Sequence, residues 1–287
     1  MKLINKGKVK DVYETDRDTL IFAFSDRVSA FDVVLKDPIP FKGKILCDFA
    51  VYWFEKLKVQ NHFIKRVNTN MIEVKKLNMI PLEIIIRQFL YGSLYQRYID
   101  KQIHISNFDK YFMNRDLKMA ARLPQPIFDP TTKSSLHDVP ITEQEILKEN
   151  ILSEPDLSFL IDSSMKVFNQ VNSIVSKAGF LLADIKFEFG RDPKNNVIYL
   201  ADSIGPDEFR VWDKNDYEEG KVQKSYDKQI LRDWLNETGF KAAVEESRAK
   251  HTEIKIPELP QNLISQLSEG YISAYERITG LEFKDKI

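Results

Sequence analysis

The chain has 287 residues, 42 basic and 43 acidic, and a formal net charge of −1, which excludes a strongly basic protein that binds nucleic acid through charge alone. Its length suggests about two domains or one enlarged module, large enough to fold without disulfides or a structural metal. A single cysteine, Cys47, excludes a disulfide framework and a Cys-based zinc cluster; His62, His104, His137 and His251 fall at no metal-ligand spacing; no apolar run approaches a membrane span; and Met1–Lys8 lacks the apolar core of a signal peptide, so a cytoplasmic globular protein is expected.

In chain order, Gly7 with Lys8, Val9, Lys10 and Val12 around it reads as a hairpin turn, and Thr19–Phe24 as a strand rich in β-formers. Phe49, Tyr52, Trp53 and Leu57 give residues 47–57 helical spacing. Glu83–Arg87 is short and β-branched, as in a buried strand ending on a charge. Residues 101–140 look irregular, and three prolines in Leu123–Pro130 demand extended chain. Residues 141–178 read as helical, opened by a capping box of Thr142 and Glu145 and stopped at Gly179. Residues 180–190 switch to period two, turn at 191–196 and return over 197–201 to Asp202. Residues 213–225 read as a loop, and Ile264, Leu267, Tyr271, Tyr275 and Ile278 form the apolar stripe of a last helix before Gly280. Partial segregation of strands and helices indicates the α+β class.

Chemistry concentrates on the strand Asp184-Ile-Lys-Phe-Glu188. Asp184, Lys186 and Glu188 share one face at intervals of about 6.6 Å. The plain alternative is a hairpin with a solvated face. If Glu188 pairs with Ile198, Asp184 lies opposite Asp202, and carboxylates converge around a lysine. Such a cluster calls for a divalent cation, and Mg²⁺ is typically held by one or two carboxylates plus nucleotide phosphates. Lys8 and Lys10, read as one face of an early strand behind Gly7, suit phosphate oxygens. Neither a Walker loop nor a G-x-G-x-x-G fingerprint occurs. Arg87, followed by Gly92 and Ser93, could grip a phosphate or carboxylate, or serve as an ordinary salt-bridge partner; the same choice holds for Gly205–Arg210. The pairs Tyr52-Trp53 and Tyr111-Phe112 read as core.

Taken in order, Gly7-Lys-Val-Lys-Asp-Val-Tyr13, Ser25-Asp-Arg-Val-Ser-Ala-Phe-Asp32, Ile80-Pro-Leu-Glu-Ile-Ile-Ile-Arg-Gln-Phe-Leu-Tyr-Gly-Ser93 and Leu182-Ala-Asp-Ile-Lys-Phe-Glu-Phe-Gly190 resemble the phosphoribosylaminoimidazole-succinocarboxamide synthase (SAICAR synthetase) family. Weaker matches are Leu123–Ile127, His137-Asp138 and Ser225–Trp234, so the likeness runs from Gly7 to about Asp233. The resemblance implies an α+β module with an ATP-grasp-like cleft between an N-terminal ATP-binding lobe, about residues 1–80, and a larger substrate and metal lobe, about 81–287. It implies a ligase that uses ATP and Mg²⁺ to join aspartate to carboxyaminoimidazole ribonucleotide, with small-molecule partners only and a monomeric or homo-oligomeric state.

By the same resemblance, Lys8 and Lys10 would hold ATP phosphates, and backbone from Lys76 to Met79 would meet the adenine. Glu188 and Asp202 would anchor Mg²⁺ and, with Lys186, form the catalytic set. Arg87, Ser93, Lys186 and Arg210 would contact the ribonucleotide, chiefly its phosphate, Asp184 would face the ribose, and Asp207 would join the substrate site. Asp26 and Ser29, in the Ser25–Asp32 loop, would help form the acid and amine pocket. His137 or Asp138 could act as a base or be structural. Ser203, Gly205, Glu208-Phe209 and Tyr91 depart from the family pattern, which leaves open a ligase for another carboxylate or amine, or a nucleotide-binding protein with little catalysis. Pro206 favours a turn that sends Glu208 outward to solvent.

Overall fold

Alternating apolar runs broken by polar turns make the first third of the chain a meander of strands. β1 (Lys2–Lys6), β2 (Lys10–Glu14) and β3 (Thr19–Phe24) are followed by a small hairpin of β4 (Ser29–Ala30) and β5 (Val33–Val34). After α1 (Lys42–Lys56) come β6 (Phe63–Asn68) and β7 (Met71–Lys75), which complete a five-stranded antiparallel sheet of order β1-β2-β3-β7-β6. The computed structural model describes residues 1–31, 33–103, 117–133, 139–224, 226 and 228–284. The readings for Asp32, His104, Tyr111, Phe112, His137, Asp138, Ser225 and Asp227 lie outside the described residues.

Helix α1 packs on this sheet and buries Phe49 and Trp53 completely. It begins five residues before the start that the apolar spacing predicts, because Gly43 lets the first turn lie against Phe24 and Ser25; a β-carbon there would stand 2.8 Å from the Phe24 carbonyl oxygen.

The second sheet has seven strands: β8 (Asn78–Met79), β9 (Leu82–Phe89), β10 (Arg122–Phe128), β11 (Thr131–Thr132), β12 (Phe180–Arg191), β13 (Ile198–Ala201) and β14 (Phe209–Asp213). Its axis is β12, and each edge of β12 is shared by two partners. β9 pairs along 184–187 and β8 along 190–191 on one edge; β14 pairs along 180–185 and β13 along 188–191 on the other. Residues 202–208 therefore leave the sheet beside Lys186–Glu188, and this handover creates the site.

The remaining helices are α2 (Ser93–Ile99), α3 (Glu143–Lys148), α4 (Glu154–Lys177), α5 (Gln229–Glu237), α6 (Phe240–Lys250) and α7 (Gln261–Thr279). α4 covers β12, and one apolar core runs from Phe22 and Trp53 through Ile86 and Phe187 to Tyr271. No described helix is long and apolar enough to cross a membrane.

Three local expectations need correction. The helical region 141–178 is two helices: the capping box of Thr142 and Glu145 opens α3, but Asn150 turns left-handed at φ 55° and Ser153 caps a new start with Pro155 in the first turn. Lys8 sits in the turn between β1 and β2 and not on the strand with Lys10. Glu188 pairs with Ala201 and not with Ile198, so Asp184 does not face Asp202. Phe209–Asp213, to which the sequence reading assigns no element, is a strand that completes the sheet edge.

Candidate active site

At the handover on β12, lysines from three separate segments meet three carboxylates. Lys10, the first residue of β2, pairs through Nζ with Asp202 and lies 3.4 Å from Ser203 Oγ. Lys186 Nζ is 2.8 Å from Glu83 Oε1 and 3.7 Å from Glu188 Oε1. Lys133, just after β11, pairs with Glu188. Burial pulls the Lys10 ammonium down to about 8, with Glu208 and Glu188 opposing the shift. Burial works the same way on Lys186, but Glu83 and Glu188 outweigh it and hold that ammonium above its usual range. Burial favours the neutral form of Glu188, yet Lys186 and Lys133 keep it below the usual carboxylate range. The cluster is charged and internally balanced.

Beside it, register builds a row of opposite charge: Arg87 on β9, Asp184 on β12 and Arg210 on β14 are successive Cα partners. Arg210 Nη1 is 3.4 Å and Arg87 Nη1 3.8 Å from Asp184 Oδ2. Arg87 also pairs with Asp129, which Arg97 shares, and donates to Ser93 Oγ at 3.1 Å. The Arg210 guanidinium stands 5.0 Å from the Tyr91 ring centre and against Gly92, where a β-carbon would lie 2.8 Å from Nη1. Gly92, at φ 59°, is both the turn into α2 and the space for that arginine.

The loop 202–208 joins the two groups. Asp207 is buried, with Oδ2 2.7 Å from Lys42 Nζ and Oδ1 accepting from Tyr271 Oη at 3.0 Å, 3.2 Å from Lys228 Nζ. Burial alone would raise its pKa, but Lys228 and Lys42 push it well below the usual range. Glu208 does not turn outward as expected. The turn at Pro206 exists, with Glu208 N donating to Gly205 O at 2.9 Å, but Oε2 is buried with no hydrogen-bond partner. Burial, then Asp207, raises this carboxyl to about 7. A cleft of about 60 Å³ opens beside Asp184, Glu208, Arg210, Lys228 and Arg232.

The other sequence-predicted residues stand apart from these contacts. Asp26 Oδ1 accepts from Gly43 N at 2.8 Å, tying its loop to α1, and Ser29 lies in β4 opposite Val34. Lys76 pairs with Glu14 at the surface, and Met79 pairs with Gly190 at the end of β12, close to Glu188. Sequence reasoning missed Lys42, Glu83, Lys133, Lys228 and Arg232. Only Glu83 left a legible signal: it shares the period-two face of β9 with Arg87.

Glu188 and Asp202 fit the donor set of a hard cation completed by phosphate oxygens and water. Among the described residues, no group of three or more His, Cys, Asp or Glu side chains could hold a metal without such help.

The family model for SAICAR synthetase matches residues 3–248. A phosphoribosylaminoimidazole-succinocarboxamide synthase of Nitrosopumilus maritimus is 44% identical over 280 residues, covering 98% of this chain and 99% of that protein. The Corynebacterium ammoniagenes enzyme of the same name is 33% identical, covering 99% and 96%. Among solved structures, the SAICAR synthase of Saccharomyces cerevisiae complexed with SAICAR matches with a TM-score of 0.81 and 30% identity, covering 98% of this chain and 95% of that one. A SAICAR synthetase in complex with ADP matches at 0.72 and 29%, covering 98% and 99%.

Proposed function

The chain belongs to the SAICAR synthetase family, and we propose that it uses ATP to join L-aspartate to the carboxylate of carboxyaminoimidazole ribonucleotide, giving SAICAR, ADP and phosphate. The observation that carries this reading is the interleaving of Lys10, Lys133 and Lys186 with Glu188 and Asp202 where loop 202–208 leaves β12.

A carboxylate is a poor electrophile because its leaving group would be oxide or hydroxide. Transfer of the γ-phosphoryl group to a carboxylate oxygen releases ADP and leaves an acyl phosphate. The aspartate nitrogen then attacks the acyl carbon; the C–N bond forms, the C–O bond to phosphate breaks, and the nitrogen loses a proton. Lys10 and Lys186 supply positive charge to the transferred group, where fixed charge counts most. Glu188 and Asp202 would hold Mg²⁺, which when bound offsets charge on the phosphates. The Arg87–Asp184–Arg210 row and Ser93 would orient the ribonucleotide, since an arginine fork fixes direction as well as charge. The nucleotide would lie between the five-stranded sheet and β12, with the 76–79 backbone toward its base.

The test is an omission series: purified protein with ATP, Mg²⁺, carboxyaminoimidazole ribonucleotide and aspartate, each left out in turn. ADP and SAICAR form together only in the complete mixture. ADP release without aspartate would replace the ligase by a carboxylate kinase, and turnover with another amine alone would change the substrate.

A further inference from the structure

Asp202 has φ 61°, a left-handed conformation that side chains with a β-carbon disfavour. It follows β13 directly, and this turn carries its carboxylate out of the strand to Lys10. The contact that secures the turn comes from the five-stranded side of the molecule. His62 Nε2 lies 3.0 Å from the carbonyl oxygen of Asp202. A carbonyl only accepts, so Nε2 carries the hydrogen.

His62 is itself fixed on every side. Its amide donates to Leu200 O at 3.0 Å, and its carbonyl accepts from Lys75 N at 2.7 Å. The ring, 2% exposed, meets Phe22 and Phe54 edge-on with centres 5.5 and 5.3 Å away. Asn61 and Leu200 form a parallel bridge at the same point, with Leu200 N donating to Gln60 O at 3.0 Å. One residue therefore holds both Leu200 and Asp202 through their carbonyls and ties the segment after β13 to β7. Burial, then nearby Lys10, lowers the imidazole to about 3, so it stays neutral across the working pH range.

We propose that His62 is a positioning residue: its Nε2–H holds the Asp202 peptide in the left-handed turn that aims the Asp202 carboxylate at the phosphate and metal side of the site. This rests on the reading of Asp202 as a metal anchor. A packing role for His62 makes a different prediction, because a ring of similar size would serve as well between Phe22 and Phe54.

The experiment measures Mn²⁺ binding in the presence of ADP, by electron paramagnetic resonance on the folded protein, for wild type, H62F, H62Q and D202N. H62F keeps the ring and lacks the donor; H62Q places an amide donor near the depth of Nε2. H62F is expected to raise the Mn²⁺ Kd about tenfold, H62Q to stay within about threefold of wild type, and D202N to weaken binding at least as much as H62F. H62M, apolar and flexible, replaces H62F if the phenylalanine variant does not fold. Wild-type affinity in H62F or H62M with weak binding in D202N would overturn the positioning role and leave Asp202 as an anchor. Equal losses in H62F and H62Q would also overturn it, assigning the effect to packing. Wild-type affinity in D202N would remove the metal reading of Asp202, and the proposal with it.

Discussion

Along β12, Asp184 is answered by arginines and Glu188 by lysines, and the difference follows from how each cation is delivered. Arg87 and Arg210 come from the two strands paired with Asp184, in register, with Arg210 set against Tyr91 and Gly92. Their planar forks are fixed in direction and suit an anion that must be held in one orientation. Lys10, Lys133 and Lys186 come from β2, from the segment after β11 and from β12 itself. Ammonium groups on flexible stems are point charges that can follow a phosphoryl group as its charge moves. On the proposed function, one strand thus carries a holding half at Asp184 and a reacting half at Glu188, four residues apart.

The comparison breaks most visibly at Glu188. Glu188→Gln keeps the shape and removes the charge shared by Lys133 and Lys186, while Lys186 retains Glu83. The fold should persist, with a thermal midpoint close to wild type, and kcat should fall about 100-fold or more, the size of effect seen when one preorganised transition-state contact is removed. Near-normal kcat at ordinary Mg²⁺ would take Glu188 out of the reacting half.

A smaller effect is expected in the holding half. Arg87→Lys keeps the charge and loses the fork, and Asp129 still has Arg97. The KM for the ribonucleotide should rise about tenfold, or about 1.4 kcal/mol, with the KM for ATP changing less than about threefold. Equal changes in both would mean that Arg87 supports the sheet and does not select the substrate.

Legibility in the sequence tracks how local each cause is. Thr19–Phe24 is a strand over the residues its composition predicts, and the capping box of Thr142 and Glu145 forms as read, because both depend on neighbours within a few positions. The charge row on β12 was readable from period two. The partner of Glu188 was not, because the register is set by the connection 192–197, where Asp192 N donates to Val197 O at 2.9 Å and brings Arg191 opposite Ile198. Lys42 and Lys228 gave no sign of sharing Asp207, since three segments distant in sequence must pack before the charges meet. The loop 202–208 was misread for a similar reason: the turn was legible and the space beneath it was not.

That space gives the smallest expected effect and the one tied most closely to the boundary between the two halves. Asp207 and Glu208 are adjacent, yet Asp207 has Lys42, Lys228 and Tyr271 on its oxygens while Glu208 Oε2 has no hydrogen-bond partner and lies 3.4 Å from where a Gly205 β-carbon would stand. Pairing lowers one carboxyl; burial, then the charge of Asp207, raises the other from 4.5 to about 7. The fold therefore prefers Glu208 protonated. Its favourable contribution is complete below the ordinary carboxyl range and is lost as pH rises through about 7, where the folded group must ionise. Glutamine is a neutral isostere that never ionises. In ligand-free thermal unfolding, the midpoint of E208Q relative to wild type should rise from about pH 5 to about pH 7, by a few degrees at most, and level off by pH 8. A difference that stays flat over that range would mean that Glu208 is ionised throughout and stabilised by Lys10 and Lys186, which would place it with the reacting half of β12.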